Sequence, residues 1–192
     1  MSLARPGKPD QDELRRIAAT IKLLVCDVDG VLTDGGLYYG ASGELQKRFN
    51  VKDGHGLVMA RLVGLPAAII TARKSEIVEV RGKELGFRAI FQGRREKGPA
   101  LEELCKELEV APAECAYMGD DTNDLWPMSL VGLPACPADA VPEVRARAFF
   151  ISQNAGGHGA VRELVELLLK ASGRWDEALG LMTGPMSRRN PS

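Results

Sequence analysis

Residues 23–35 read LLVCDVDGVLTDG. Four apolar residues, Leu23 to Cys26, run straight into two carboxylates, Asp27 and Asp29, and then a glycine, Gly30. A short apolar run closed by a turn signal predicts a strand buried on both faces, the kind found inside parallel sheets. In open α/β sheets the ligand crevice lies just beyond the carboxyl ends of such strands. Asp27 and Asp29 would then stand at the mouth of a site. Two ionised carboxylates two residues apart repel, and a bound cation resolves the repulsion; Mg²⁺ suits one or two carboxylates together with phosphate oxygens. An isolated DxD also occurs as a plain solvated turn, so the assignment depends on the rest of the chain.

The 192 residues suffice for one α/β domain with a substantial core. Hydrophobic residues make up 45% and charged residues 27%, the balance of a soluble globular protein. A net charge of −1 gives no overall field for a nucleic acid or other polyanion. No apolar run is long enough to span a bilayer, and the first residues, MSLARPGKPDQDELRR, hold no apolar signal core. The four cysteines, Cys26, Cys105, Cys115 and Cys136, lack metal-site spacing. They read as reduced cysteines of a cytoplasmic protein.

Working along the chain, residues 1–20 form an extension with a short helix from Asp12, its stripe made by Leu14, Ile17, Ala18 and Ile21. After the first strand, residues 35–51 read as a β-hairpin: Leu37 to Tyr39 and Leu45 to Phe49 flank a Gly-Ala-Ser-Gly turn. Asp53 is placed to cap a helix reaching Val63. Further strands are expected at 67–70, 88–91, 115–118, 132–136 and 148–151. Helices are expected at 75–85, stopped by Gly86, from Lys97 to the Ala-Pro at 111–112, up to Leu130, and after AGGHG at 155–159. Residues 181–192 have the composition of a flexible tail.

Strands alternating with helices call for a mostly parallel, Rossmann-like sheet with helices on both faces. Polar groups recur at successive strand ends: Asp27 and Asp29, Thr71, Lys97, then Asp120, Asp121 and Asp124. Acids suit Mg²⁺, while a hydroxyl and an ammonium suit phosphoryl oxygens. Phosphoryl transfer needs mainly positioning and charge neutralisation. No GxxxxGK[ST] loop is present, which disfavours a P-loop NTPase.

These motifs resemble the haloacid dehalogenase superfamily. DVDGVLTDG is similar to its first motif, Thr71 after AAII to the second, Lys97 to the third and GDDTND to the fourth. FNVKDGHG, ITARKS, FQG followed by a lysine, GDDTND and AGGHGAVRE resemble the 3-deoxy-D-manno-octulosonate 8-phosphate phosphatases, over roughly residues 20–180. The resemblance implies one capless phosphatase domain at 21–180 with a hairpin inserted after the first strand. It also implies a role in lipopolysaccharide biosynthesis.

Residue by residue, the resemblance makes Asp27 the nucleophile that forms an aspartyl-phosphate and Asp29 the acid/base. It places Mg²⁺ on Asp27, the backbone carbonyl of Asp29 and Asp120, with Asp124 holding the metal's waters or orienting Lys97. Thr71 and Lys97 would bind the transferring phosphoryl group. Asp121 stays open between a metal-shell acid and a helix N-cap. Arg73 and Lys74 would bind substrate, Arg73 capturing a sugar-acid carboxylate, and His55 is a further substrate candidate. Arginine at position 73 goes with the eight-carbon acid, whereas glutamate there goes with the related nine-carbon, sialic-acid-type 9-phosphate phosphatases. His158 departs from the arginine usual in the Gly-Gly-x-Gly loop. The resemblance further implies a homotetramer in which the 35–51 hairpin of one subunit covers its neighbour's site, with Tyr38, Tyr39 and Phe49 at the interface. A non-catalytic assembly domain, related to those fused to nucleotidyltransferases, is the other class; every catalytic position being filled favours an enzyme.

Overall fold

Leu23–Cys26 forms β1, with all four residues buried, in a computed structural model that describes residues 8–183. Five further strands lie parallel to it: β4 (Ala67–Ile70), β5 (Ala89–Phe91), β6 (Cys115–Met118), β7 (Leu133–Cys136) and β8 (Phe150–Ile151). Their order is β5-β4-β1-β6-β7-β8. The chain moves outward from β1 through β4 to β5, then crosses back to β6 on the other side. That reversal at β1 is the topological switch point at which such sheets bind ligands.

Alternation along each strand sends its side chains to two separate cores. Leu24, Cys26, Ile69 and Met118 pack on one face with Ala18, Leu57, Leu164 and Leu168. Those partners come from α1 (Gln11–Ala19), α2 (Val51–Leu62) and α7 (Ala160–Ala171). Leu23, Val25, Ile70 and Tyr117 face the other way, against Leu101, Leu104, Met128 and Val144. These belong to α4 (Lys97–Glu107), α5 (Leu125–Leu130) and α6 (Pro142–Arg145). Burying each such leucine or valine contributes about 1.5–3 kcal/mol, and burial on both faces is why the strands read as uninterrupted apolar runs. The remaining helices are α3 (Glu76–Leu85), stopped as expected by Gly86 at φ +73°, and α8 (Trp175–Thr183).

Three expectations need correction. Asn50, not Asp53, caps α2, its side chain accepting from the Lys52 N–H at 2.8 Å. Asp53 is buried and instead accepts from the N–H groups of Gly159 at 3.1 Å and Arg162 at 2.8 Å. It thereby satisfies the first turn of α7, where N–H groups lack helical partners and the helix dipole favours an anion. The hairpin is also shorter than its pattern suggests: β2 (Tyr38–Gly40) pairs antiparallel with β3 (Gly43–Gln46). Phe49 leaves that ladder, forms an isolated bridge with Thr33, and lies under the Arg81 guanidinium within its own chain. Finally, α8 runs to Thr183, so residues 181–183 of the expected tail are helical, and the rest of that tail lies outside the described residues.

Candidate active site

The carboxyl ends of β1, β4, β5 and β6 converge as the strand order requires. Asp27 follows β1 directly, and its N–H continues the pairing by donating to Met118 O at 3.0 Å. Three N–H groups, of Val31, Leu32 and Thr33, then turn back onto Val28 O. Asp29 lies within that loop and lines the cleft. Thr71 follows β4, Lys97 opens α4 after β5, and Asp120 follows β6. A single cleft is lined by Asp27, Asp29, Thr71, Ala72, Arg73, Lys97, Asp120, Asp121 and Asn123.

Lys97 sits at the bottom with its side chain fully buried. Its Nζ lies 2.7 Å from Asp27 Oδ2 and 2.7 Å from Asp124 Oδ1. Burial works against the ammonium, but Asp27 and Asp124 outweigh it and raise the Lys97 pKa. Asp124 is itself saturated: Oδ1 also accepts from Tyr117 OH at 2.7 Å, and Oδ2 accepts from the N–H groups of Asp120 and Asp121 at 3.0 and 3.3 Å. Asp124 thus holds the Lys97 ammonium between itself and Asp27. The Tyr117 hydroxyl was not legible from the sequence; only a tyrosine in an otherwise aliphatic strand, CAYM, hinted at a polar partner.

Three carboxylates, Asp27, Asp120 and Asp124, have ligand atoms within 4.8 Å of one another, and Lys97 is the one ammonium among them. Burial, then the Asp124 charge, pushes Asp27 up to about 6. Burial, then the charges of Asp27 and Asp124, pushes Asp120 up to about 8. Moreover, Asp27 Oδ1 and Asp120 Oδ1 are buried and accept no hydrogen bond. Buried carboxylate oxygens are normally paired or bound to metal. A hard divalent cation fits this donor set: it takes oxygen ligands, and it would cancel the two negative charges that Lys97 leaves over.

On the other wall, Asp29 Oδ1 accepts from Lys47 Nζ, and Asp29 Oδ2 lies 3.7 Å from Arg73 Nε. Lys47 also pairs with Glu44 Oε1 at 2.9 Å, and the Ser75 hydroxyl donates to Glu44 Oε2. Arg73 Nη2 donates to Tyr39 OH, so the hairpin touches the cleft of its own chain at two points. Lys47 was missed by sequence reasoning. Asp29 without an evident counter-ion was the one available signal.

Not every expected substrate residue reaches the cleft. His55 is exposed on α2, and Lys74 is exposed with its stem laid over Gly93; neither lines the cleft. Asp121 accepts from the Thr122 N–H at 2.6 Å and caps the 3₁₀ turn Thr122–Asp124. His158 Nδ1 lies 2.7 Å from Gly156 O, and its Nε2 lies 3.0 Å from Arg48 Nη1. The Nδ1–H tautomer satisfies both contacts, donating to the carbonyl and accepting from Arg48. His158 therefore faces the hairpin base and does not line the cleft.

The chain is similar to known proteins over most of its length. Residues 67–164 match the family of haloacid dehalogenase-like hydrolases. The 3-deoxy-D-manno-octulosonate 8-phosphate phosphatase of Escherichia coli (strain K12) is 46% identical over 180 residues, 93% of this chain and 95% of that protein. The crystal structure of the corresponding phosphatase from Moraxella catarrhalis, in complex with a magnesium ion, a phosphate ion and KDO, matches with a TM-score of 0.87 and 39% identity. It covers 91% of this chain and 100% of that one. The cobalt-bound phosphatase of Haemophilus influenzae matches with a TM-score of 0.82 and 36% identity, covering 88% and 99%.

Proposed function

Because the chain belongs to the haloacid dehalogenase-like hydrolases, and within them to the 3-deoxy-D-manno-octulosonate 8-phosphate phosphatases, we propose that it hydrolyses that sugar phosphate to the free acid and phosphate. The observation that carries the reading is the pair of buried, unpartnered oxygens on Asp27 and Asp120, set against Lys97 at a switch point. Asp27, Asp120 and the backbone carbonyl of Asp29 would hold Mg²⁺, with Asp124 behind them fixing Lys97. When bound, the ion supplies positive charge that offsets the phosphoryl oxygens.

In this reading an Asp27 carboxylate oxygen attacks phosphorus while Thr71 and Lys97 bind the phosphoryl oxygens. The bond from phosphorus to the sugar oxygen breaks as Asp29 donates a proton to that oxygen. An aspartyl-phosphate is left on Asp27. Asp29, now ionised, takes a proton from water, whose oxygen attacks the aspartyl-phosphate and releases inorganic phosphate. Arg73, at the outer wall of the cleft and held there by Tyr39, presents a guanidinium that can pair with the substrate carboxylate; the preference for the eight-carbon acid rests on the resemblance, in which arginine at this position goes with the octulosonate.

For assembly, a homotetramer whose 35–51 hairpin covers the neighbouring site is supported by the exposure of Leu37, Tyr38, Tyr39 and Leu45, between 41% and 61%. Exposed large apolar side chains clustered on one short hairpin are what an interaction surface requires. A cytoplasmic setting is supported by four free, buried cysteines, and a part in lipopolysaccharide biosynthesis follows from the resemblance to the octulosonate phosphatases. Among the described residues no helix is long and apolar enough to cross a membrane. The test is a phosphate-release assay over eight- and nine-carbon sugar-acid phosphates and neutral sugar phosphates, with and without Mg²⁺. The reading requires the eight-carbon substrate to be preferred and the activity to vanish in chelator. Light scattering distinguishes a tetramer from a monomer.

A further inference from the structure

Lys47 is the one buried cation of the hairpin and has no part in the chemistry above. Its side chain is 1% exposed. An ammonium is buried at such cost only when it is paired, and Lys47 is paired twice, with Asp29 and with Glu44. Glu44 is held in turn by Ser75, the residue that precedes α3 at the end of the second motif. A line of polar contacts, Asp29–Lys47–Glu44–Ser75, thus joins the loop after β1 to the loop after β4 through the hairpin. The other neighbour of the Asp29 carboxylate, Arg73 Nε, stands at 3.7 Å, beyond hydrogen-bond distance. Lys47 is therefore the group that fixes how Asp29 points.

We infer that Lys47 is a positioning residue for catalysis, holding the Asp29 carboxyl in the orientation from which it protonates the leaving oxygen. This rests on Asp29 being the acid/base. A group that must meet one substrate atom loses rate steeply when its orientation is lost. The loss should depend on the leaving group. A sugar alkoxide needs Asp29's proton as its bond to phosphorus breaks, whereas p-nitrophenolate leaves without one.

Lys47→Met and Lys47→Arg are to be compared with wild type on 3-deoxy-D-manno-octulosonate 8-phosphate and on p-nitrophenyl phosphate at saturating Mg²⁺. The quantity read is kcat/KM, which reports only steps up to formation of the aspartyl-phosphate. For Lys47→Met we expect a loss of about 10- to 100-fold on the sugar phosphate, below the span for deleting a general acid outright. We expect less than about threefold on the aryl phosphate, an unchanged KM for the sugar, and recovery to within about fivefold by Lys47→Arg. Calorimetric Mg²⁺ affinity should match wild type. Equal losses on both substrates would reduce Lys47 to a structural tie and overturn the inference, as would no loss on either. A wild-type protein that hydrolyses neither substrate would instead overturn the proposed function.

Discussion

A β-carbon on Gly30 would stand 2.1 Å from Asp120 Oδ2. Gly30 also holds φ at +89°, a region that side chains disfavour. The glycine of the first motif is thus what lets the acid of the fourth motif approach Asp27. Gly30→Ala is expected to displace the Asp120 carboxylate and weaken Mg²⁺ binding by at least about tenfold, besides costing about 1–3 kcal/mol in backbone strain. Titration calorimetry against Mg²⁺ checks this; unchanged affinity would separate Gly30 from the metal site.

The crowding of Asp27 and Asp120 carries a pH signature in the metal-free protein. Their folded pKa values are raised to about 6 and about 8, against about 3.9 for a free aspartate. The native state therefore retains protons that the unfolded chain has already released. Stability is fully present below pH ~4 and is lost as pH rises through the two folded values. In chelator, the Tm should fall by at least about 5 °C between pH ~5 and pH ~9. Saturating Mg²⁺ should remove most of the fall, because the cation replaces the protons. Differential scanning fluorimetry reads both curves, and a metal-free Tm that is flat or rising with pH would contradict the charge arithmetic of the site.

Arg73 offers a test of substrate choice. With the phosphoryl group assigned to Thr71 and Lys97, Arg73 is left to read the far end of the substrate. Losing a charged, bidentate donor should cost on the order of 1.5–3 kcal/mol, or about ten- to a hundred-fold in kcat/KM. Arg73→Ala is expected to show that loss on the octulosonate 8-phosphate and almost none on an aryl phosphate. Equal losses would assign Arg73 to phosphate binding or to the fold.

The strand-end groups were legible because each follows a run such as LLVC, AAII or CAYM, buried on both faces, and parallel strands bring those ends to one edge. What could not be read was the choice of long-range partners. Asp53 looked like a cap for its own helix, yet it serves the start of α7, whose N-cap Gly159 lies 106 residues further along the chain. The hairpin reading carried its second strand from Leu45 to Phe49. Lys47 instead turns to Asp29, Phe49 bridges to Thr33, and β3 stops at Gln46. Helix α8 escaped notice because its anchor is tertiary: Trp175 lies against Arg162 and Lys170 of α7, at 5.7 and 4.8 Å. The motifs around His55 and Lys74 suggested substrate contact, but the helix phase of one and the exposed course of the other keep both off the cleft.

The central claim is that Asp27 attacks phosphorus, and Asp27→Asn tests it most directly. The substitution keeps size and shape while removing the attacking charge and one metal ligand. Phosphate release from 3-deoxy-D-manno-octulosonate 8-phosphate is to be measured with Mg²⁺ for wild type and for the folded variant. We expect the variant to fall to below about a thousandth of wild-type turnover. Turnover near that of wild type would show that another group carries the phosphoryl transfer.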